Sequence, residues 1–108
     1  MTAVAKQMLT IANGATTSDA CVSAAYAAFG LQLPAAFTGA SISFTVSADG
    51  GTTYQALYDR TNTVVSVTVV QGRSYDLPDE LAAWDHFKIV SASSEGAART
   101  LWVVGKSG

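Results

Sequence analysis

The segment from residue 40 to residue 58 constrains the fold of this chain more than any other. Apolar and hydroxyl side chains alternate strictly from Ser41 to Ala48, an Asp-Gly-Gly-Thr turn follows, and a run rich in aromatic residues begins at Tyr54. Strict alternation sends successive side chains to opposite faces of a strand. The segment therefore predicts a β-hairpin with one apolar face, which other parts of the chain must cover.

The rest of the chain repeats this pattern in short segments separated by Gly, Asn, Asp or Pro. Further strands are predicted over residues 6–12, 20–22, 25–33, 63–70, 73–77, 86–92 and 99–105. One helical turn is predicted over residues 79–84, with Asp79 accepting hydrogen bonds from the free amides at its start. About eight short strands at near-regular spacing predict an all-β fold, an antiparallel β-sandwich or jelly roll. We expect a single domain over residues 1–108, with residues 1–5 as an N-terminal arm.

Composition narrows the classes of function. Charged residues make up 13% of the chain, about half of the usual share of roughly 25%. The six Lys and Arg residues are scattered and the net charge is −2, so a nucleic-acid partner is not expected. An apolar run of about 20 residues, which a membrane helix needs, is absent from the sequence. A surface with so few charges suits a protein that packs against neighbours.

The hairpin turn carries a recognisable motif. Residues 47–54 read Ser-Ala-Asp-Gly-Gly-Thr-Thr-Tyr, which resembles the Asp-box of sialidases and other β-propeller proteins. In that pattern the carboxylate and hydroxyl groups accept hydrogen bonds from turn amides, and glycine takes backbone angles that other residues avoid. A single copy, without an arginine cluster for a substrate carboxylate, predicts a structural turn and no catalysis. The predicted turn residues are Ser47, Asp49, Gly51, Thr53 and Tyr54.

Other clusters of reactive residues predict no catalytic, metal or cofactor site. The acidic residues between Asp76 and Asp85 lack the spacing of a calcium loop, and Pro78 interrupts them. His86 is the single histidine and cannot build a zinc site alone, and the sequence places no base beside Cys21. Cys21 cannot form an internal disulfide either, which favours assembly in a reducing cytosol. A sugar-stacking platform stays open as an alternative, formed by six aromatic residues: Tyr26, Tyr54, Tyr58, Tyr75, Trp84 and Trp102.

Several segments together resemble a group of small virion structural proteins of tailed bacteriophages. The most specific part is the Leu-Pro-Ala-Ala-Phe-Thr-Gly segment at residues 33–39 together with the hairpin turn that follows it. The other segments are residues 10–19, 57–59, 87–90 and 99–104. The resemblance extends over most of the chain, and residues 19–29 depart from it.

The resemblance implies a non-enzymatic β-sandwich that decorates, or cements, a capsid. Its expected partners are the major capsid protein and further copies of itself, with a trimer favoured. Its expected location is the capsid surface, after synthesis in the host cytoplasm. Two alternatives stay open: a tail, baseplate or head–tail module, and a carbohydrate-binding module for host attachment. The apolar run near the end of the chain is the predicted buried or contact surface: Leu101, Trp102, Val103 and Val104.

Overall fold

The computed structural model describes residues 4–23 and 26–106 and has an almost entirely β architecture. Over these residues there are nine strands and one 3₁₀ turn, Asp79–Ala83. The strands are β1 (Val4–Ile11), β2 (Thr17–Val22), β3 (Ala28–Gln32), β4 (Ser41–Ser47), β5 (Gln55–Ala56), β6 (Ser66–Thr68), β7 (Ser74–Asp76), β8 (His86–Ser91) and β9 (Arg99–Lys106). No helix within the described ranges is long and apolar enough to cross a membrane.

The strands form two antiparallel layers that curl into a half-barrel. The first sheet has the order β1-β9-β3-β7, and the second has the order β2-β8-β4-β5, with β6 also beside β4. The layers are joined where β1 pairs with β2, at Ile11 and Ser18. This arrangement confirms the predicted all-β, antiparallel sandwich.

The core lies between the inner faces of the two sheets. The alternation of β4 turns Ile42, Phe44 and Val46 inward, and each is buried. The Phe87 ring of the second sheet packs edge-to-face against Phe29 of the first, with ring centroids 5.3 Å apart. Full burial of a large apolar side chain stabilises the fold by about 1.5–3 kcal/mol, so these contacts hold the layers together.

Several predicted boundaries differ from the structure. The strand predicted over residues 63–70 shortens to β6, because its pairing with β4 extends only from Ser41 to Ser43. The strand predicted over residues 25–33 shortens to β3, and residue 25 lies outside the described residues. The strand predicted over residues 20–22 begins earlier, at Thr17.

The expected capping role of Asp79 is not found. Pro78 occupies the cap position of the 3₁₀ turn and makes no side-chain hydrogen bond there, and Asp79 is the first residue of the turn itself. The turn is held instead by Leu81, whose side chain is fully buried. Tertiary packing, rather than a local cap, therefore fixes this element.

The first and last strands, β1 and β9, lie side by side in the first sheet. Of the arm predicted over residues 1–5, residues 1–3 lie outside the described residues, whereas Val4 and Ala5 pair with Lys106 and Gly105 of β9. These two residues therefore belong to the sheet and not to an arm, because the β1–β9 ladder includes them.

The run from Leu101 to Val104 is divided between two faces. Leu101 and Val103 are fully buried, whereas Trp102 and Val104 are 36% and 37% exposed. Successive side chains of a strand point to opposite faces. The predicted contact surface is thus limited to Trp102 and Val104, and the other two residues belong to the core.

Candidate functional site

The turn that follows β4 is built by two side chains that accept hydrogen bonds from its backbone. Asp49 Oδ1 accepts from the amides of Thr52 and Thr53, at 3.2 Å and 2.9 Å. Ser47 Oγ donates to the same carboxylate at 2.7 Å and accepts from the Gly51 amide at 2.9 Å. Gly50 and Gly51 have φ angles of 72° and 92°, a region that favours glycine. The motif thus acts here as a structural brace.

These hydrogen bonds fix the charge of the turn. The Thr53 amide, followed by the side chains of Ser47 and Thr53, favours the carboxylate and lowers the pKa of Asp49 to about 2. Burial, followed by the charge of Asp49, raises the pKa of the neighbouring Tyr54. The Lys88 ammonium lies 4.3 Å from the centroid of the Tyr54 ring, close enough for a cation–π contact. The turn is therefore held by several hydrogen bonds, and its carboxylate is negatively charged at neutral pH.

A second braced turn follows Tyr58. Asp59 Oδ1 accepts from the Thr61 amide at 2.8 Å, from the Thr61 hydroxyl at 2.7 Å and from the Thr63 amide at 3.0 Å. The Thr61 hydroxyl, followed by the Thr63 amide, lowers the pKa of Asp59. Asn62 has a φ of 64°, which asparagine tolerates better than most residues. This turn is thus ordered around one carboxylate oxygen.

An aromatic groove lies between the two turns. Tyr58 and Trp84 line both of two adjoining depressions, which have volumes of about 450 Å³ and about 500 Å³. Asp49 lines the first depression and Asp59 the second. Polar side chains complete the walls: Thr53 and Gln55 in the first, Arg60, Thr61 and Glu80 in the second. We call this feature the Tyr58–Trp84 groove.

The fold disperses the six aromatic residues that could have formed one platform. Tyr75 and Trp102 lie in the first sheet, whereas Tyr58 is in the loop after β5 and Trp84 immediately follows the 3₁₀ turn. Tyr26 packs against the core. Tyr58 and Trp84 are the two that share the groove, and their proximity depends on tertiary structure rather than on sequence spacing.

A buried carboxylate, Glu95, is the polar centre that the sequence reasoning missed. Its side chain accepts hydrogen bonds from the Thr38 and Gly39 amides, at 2.9 Å and 3.2 Å. Ser91 Oγ also donates to it, at 3.1 Å, and Arg99 Nε forms an ion pair with it at 3.0 Å. Glu95 lies within a segment of small residues between β8 and β9, and only its isolated charge there could have signalled a role.

The environment of Glu95 keeps it ionised. Burial opposes ionisation, but the hydrogen bonds from the Thr38 amide, Arg99 and Ser91 together outweigh it and lower the pKa of Glu95. The carboxylate has no direct access to solvent, because Glu95 is 1% exposed. It therefore acts as a structural anchor between loops and has no free side for a substrate.

Cys21 and His86 do not form a catalytic pair. Cys21 is opposite Phe87 and His86 is opposite Val22 in the β2–β8 ladder, so their side chains point to opposite faces of the sheet. Burial raises the pKa of the Cys21 thiol to about 12, which keeps it protonated and unreactive. Among residues 4–23 and 26–106, no three His, Cys, Asp or Glu side chains are grouped as they would be around a metal ion.

The fold, an antiparallel β-sandwich with nine strands in the described part of the chain, has a counterpart among solved structures. The crystal structure of the SPBc2 prophage-derived protein YomS matches it with a TM-score of 0.58 and 16% sequence identity, over 97% of this chain and 96% of that one. At this identity the similarity concerns the fold alone. No protein-family model and no curated protein sequence matches the chain.

Proposed function

We propose that this protein is a non-enzymatic structural component of a phage virion and that it decorates the outer surface of the capsid. The observation that carries the proposal is the similarity of fold to a prophage-derived protein, which spans 97% of the chain. The resemblance of the sequence to virion proteins of tailed phages supports the same origin. In this proposal the protein folds in the host cytoplasm and then binds the major capsid protein.

The roles of the carboxylates support binding rather than catalysis. Asp49, Asp59 and Glu95 are each engaged by backbone amides of the turns and loops that they hold. Nucleophilic catalysis needs a nucleophile next to a base, and the buried Cys21 faces away from His86. A rigid sandwich without such a pair is suited to adhesion.

The surface of the protein also supports adhesion. Among the described residues, seven large apolar side chains are exposed: Met8, Val22, Tyr58, Val64, Val70, Trp102 and Val104. Met8, Trp102 and Val104 lie together on the outer face of the first sheet, and Tyr58 is paired with Val64. Weak contacts of this kind are sufficient on a symmetric shell, because contacts that act together can raise apparent affinity by about 10²–10⁴.

Copy number in the virion tests the proposal. Particles of the phage that encodes this chain would be purified, the ratio of this chain to the major capsid protein measured by quantitative mass spectrometry, and the protein located by electron cryomicroscopy. Decoration predicts a fixed ratio to the capsid protein and density over the shell. A single ring of copies at the tail or neck would favour the tail alternative, and absence from the particle would contradict both.

The Tyr58–Trp84 groove favours glycan binding as a second candidate function. Tyr58 is 54% exposed, and an aromatic ring with polar neighbours offers one stacking surface and several hydrogen-bonding groups. Three carboxylates and one guanidinium line the two depressions, so the groove should prefer neutral or amino sugars to polyanions.

Calorimetric titration separates this candidate from decoration. Neutral and amino-sugar oligosaccharides would be titrated into the wild type, into Tyr58→Ala and into Trp102→Ala. The third protein is a matched control, because it removes an exposed aromatic residue outside the groove. Glycan binding predicts heat that is lost in Tyr58→Ala and retained in Trp102→Ala, and no heat with any sugar would reject it.

A further inference from the structure

On the outer face of the first sheet, two rows of side chains cross all four strands, and their composition changes from one half to the other. Pairing across β1, β9, β3 and β7 places Lys6, Val104, Gly30 and Asp76 in one row. The next row holds Met8, Trp102, Gln32 and Ser74. Each row thus begins with bulky residues on β1 and β9 and continues with small or polar ones on β3 and β7.

This difference in size gives the face a raised half and a hollow half. Met8 is 55% exposed on the raised half, next to Trp102 and Val104. On the other half a depression of about 400 Å³ is lined by residues of β3 and β7, among them Gly30 and Ser74, and it extends to Val104 of β9, which also lines it. The Gly30 position contributes no side chain, and a Cβ added there would be 3.7 Å from its nearest neighbour, the Tyr75 carbonyl oxygen. The two halves therefore have complementary shapes.

Charge follows the same division. Lys6 is at the β1 end of its row and Asp76 is at the β7 end. Three strand spacings of about 4.8 Å separate them by about 14 Å. Lys6 Nζ lies 5.1 Å from the centroid of the Trp102 ring, so the positive charge is on the raised half, and the negative charge is on the hollow half.

We propose that this face binds the same face of a second copy of the chain, about a two-fold axis that runs parallel to the strands between β9 and β3. Such an axis places β1 of one copy over β7 of its partner and β9 over β3. Each Lys6 then meets an Asp76, and each Val104 fills the hollow over a Gly30. Two-fold contacts need a self-complementary surface, and both the charges and the shapes of this face meet that requirement.

This inference does not depend on the proposed function, and it differs from the trimer that the sequence resemblance favoured. A two-fold contact closes on itself, so it yields a dimer. Because the contact relies on two rows of side chains from each copy and on exposed charges, we expect a weak dimer whose association weakens as salt increases.

Charge reversal in sedimentation-velocity experiments tests the contact. The wild type, Lys6→Asp, Asp76→Lys and the double variant would be compared at concentrations from about 1 μM to about 1 mM, the range in which a small interface is expected to associate. Each single variant should raise the dissociation constant about tenfold or more, and the double variant should restore it to within about threefold. Arg60→Asp is the matched control, because it reverses an exposed charge on a turn outside this face.

The outcomes are distinct. A wild type that stays monomeric at every concentration, or that forms a trimer, would overturn the proposal. So would single variants that associate normally, or a double variant that stays as weak as the singles. A protein that is monomeric in solution but present on the capsid would contradict the dimer and leave the decoration proposal standing. A protein that dimerises but is absent from purified virions would contradict decoration and leave the dimer standing.

Discussion

The turn at Asp49 and the loop at Glu95 are both held by a carboxylate. They differ in how far along the chain the amides lie that donate hydrogen bonds to it. In both, a carboxylate accepts hydrogen bonds from backbone amides and holds a non-repetitive segment in place. The amide partners of Asp49 are three and four residues away. Those of Glu95 are 57 and 56 residues away, and its carboxylate is buried while that of Asp49 is exposed.

This difference indicates what each carboxylate stabilises. Asp49 organises its own hairpin turn, and water can replace some of the hydrogen bonds that its carboxylate accepts. Glu95 joins three separate segments, namely the connection at Thr38, the end of β8 at Ser91 and the start of β9 at Arg99. Unpaired polar groups are costly where water cannot reach them. Loss of Glu95 should therefore affect the whole domain, and loss of Asp49 should affect one turn.

The largest expected effect is that of Glu95→Ala. The substitution leaves two amides without their acceptor and removes the buried member of the ion pair with Arg99, whose side chain is 17% exposed. Loss of one partner of a buried pair typically costs about 3–5 kcal/mol. Urea denaturation followed by intrinsic fluorescence would measure the free energy of unfolding. Glu95→Gln is the control for volume, because it keeps the shape but presents an amide donor to groups that need an acceptor. If Glu95→Ala cost less than about 1 kcal/mol, the contrast with Asp49 would be lost.

Removal of a core aromatic residue provides a reference for the loss of unfolding free energy in Glu95→Ala. Phe44→Ala takes away a buried ring that packs edge-to-face against Phe87, and it should cost about 3–5 kcal/mol. The same denaturation experiment measures it. A comparable loss for Glu95→Ala would mean that the buried carboxylate stabilises the fold as much as a core aromatic side chain does. A negligible loss for Phe44→Ala would mean that β4 does not face the core as described.

A smaller loss is expected for Gly39→Ala, which tests the packing around Glu95. A Cβ at Gly39 would collide with Ser91 Oγ and would lie 3.1 Å from Phe37 Cε2, so the loop would have to shift away from the carboxylate. Such overpacking typically costs about 1–3 kcal/mol. Gly96→Ala is the control, because a Cβ there meets nothing within 4 Å. Equal stability of the two variants would show that the loop at Gly39 is not tightly held.

Asp49→Ala should lower stability clearly less than Glu95→Ala does. The amides of Thr52 and Thr53 are exposed, so water can satisfy them when the carboxylate is gone. Thermal unfolding of the variant, with Asp59→Ala as a second exposed turn, would measure the effect. Hydrogen exchange should show faster opening confined to residues near the turn. A loss as large as that of Glu95→Ala would remove the distinction between local and long-range carboxylates.

The smallest effects should appear on acidification. The pKa of Glu95 is lowered in the folded protein, and that of Asp49 is lowered from 3.8 to about 2. Because both folded-state pKa values are depressed, each carboxylate contributes stability above its unfolded-state pKa and loses it as pH falls through the folded-state pKa. Unfolding free energies should therefore decline below the ordinary Glu pKa of 4.5.

Glu95→Gln isolates one part of that decline. This variant should lose less stability between neutral pH and pH values below 4.5 than the wild type does, since it has no carboxylate at position 95 to protonate. An unchanged decline would assign the acid sensitivity to other groups.

Part of the candidate site was predictable because its contacts are local. The Asp49 turn combines a short side chain, two glycines and hydroxyl residues within eight positions, and each of these has a known preference for turns. The inward face of β4 followed from alternation in the same way. The Tyr58–Trp84 groove was not predictable, because these residues are far apart in the chain and meet only through the packing of the second sheet and the 3₁₀ turn.

The sequence by itself determined the class of fold, the main strands and the braced hairpin turn. Alternation and turn chemistry act over a few residues, so they can be recognised in a single chain. Only the tertiary structure decided that Glu95 is a buried anchor, that Leu101 and Val103 rather than Trp102 and Val104 face the core, and that Lys6 and Asp76 lie at opposite ends of one row. Those features depend on which strands become neighbours, and strand order is set by the packing of the whole core.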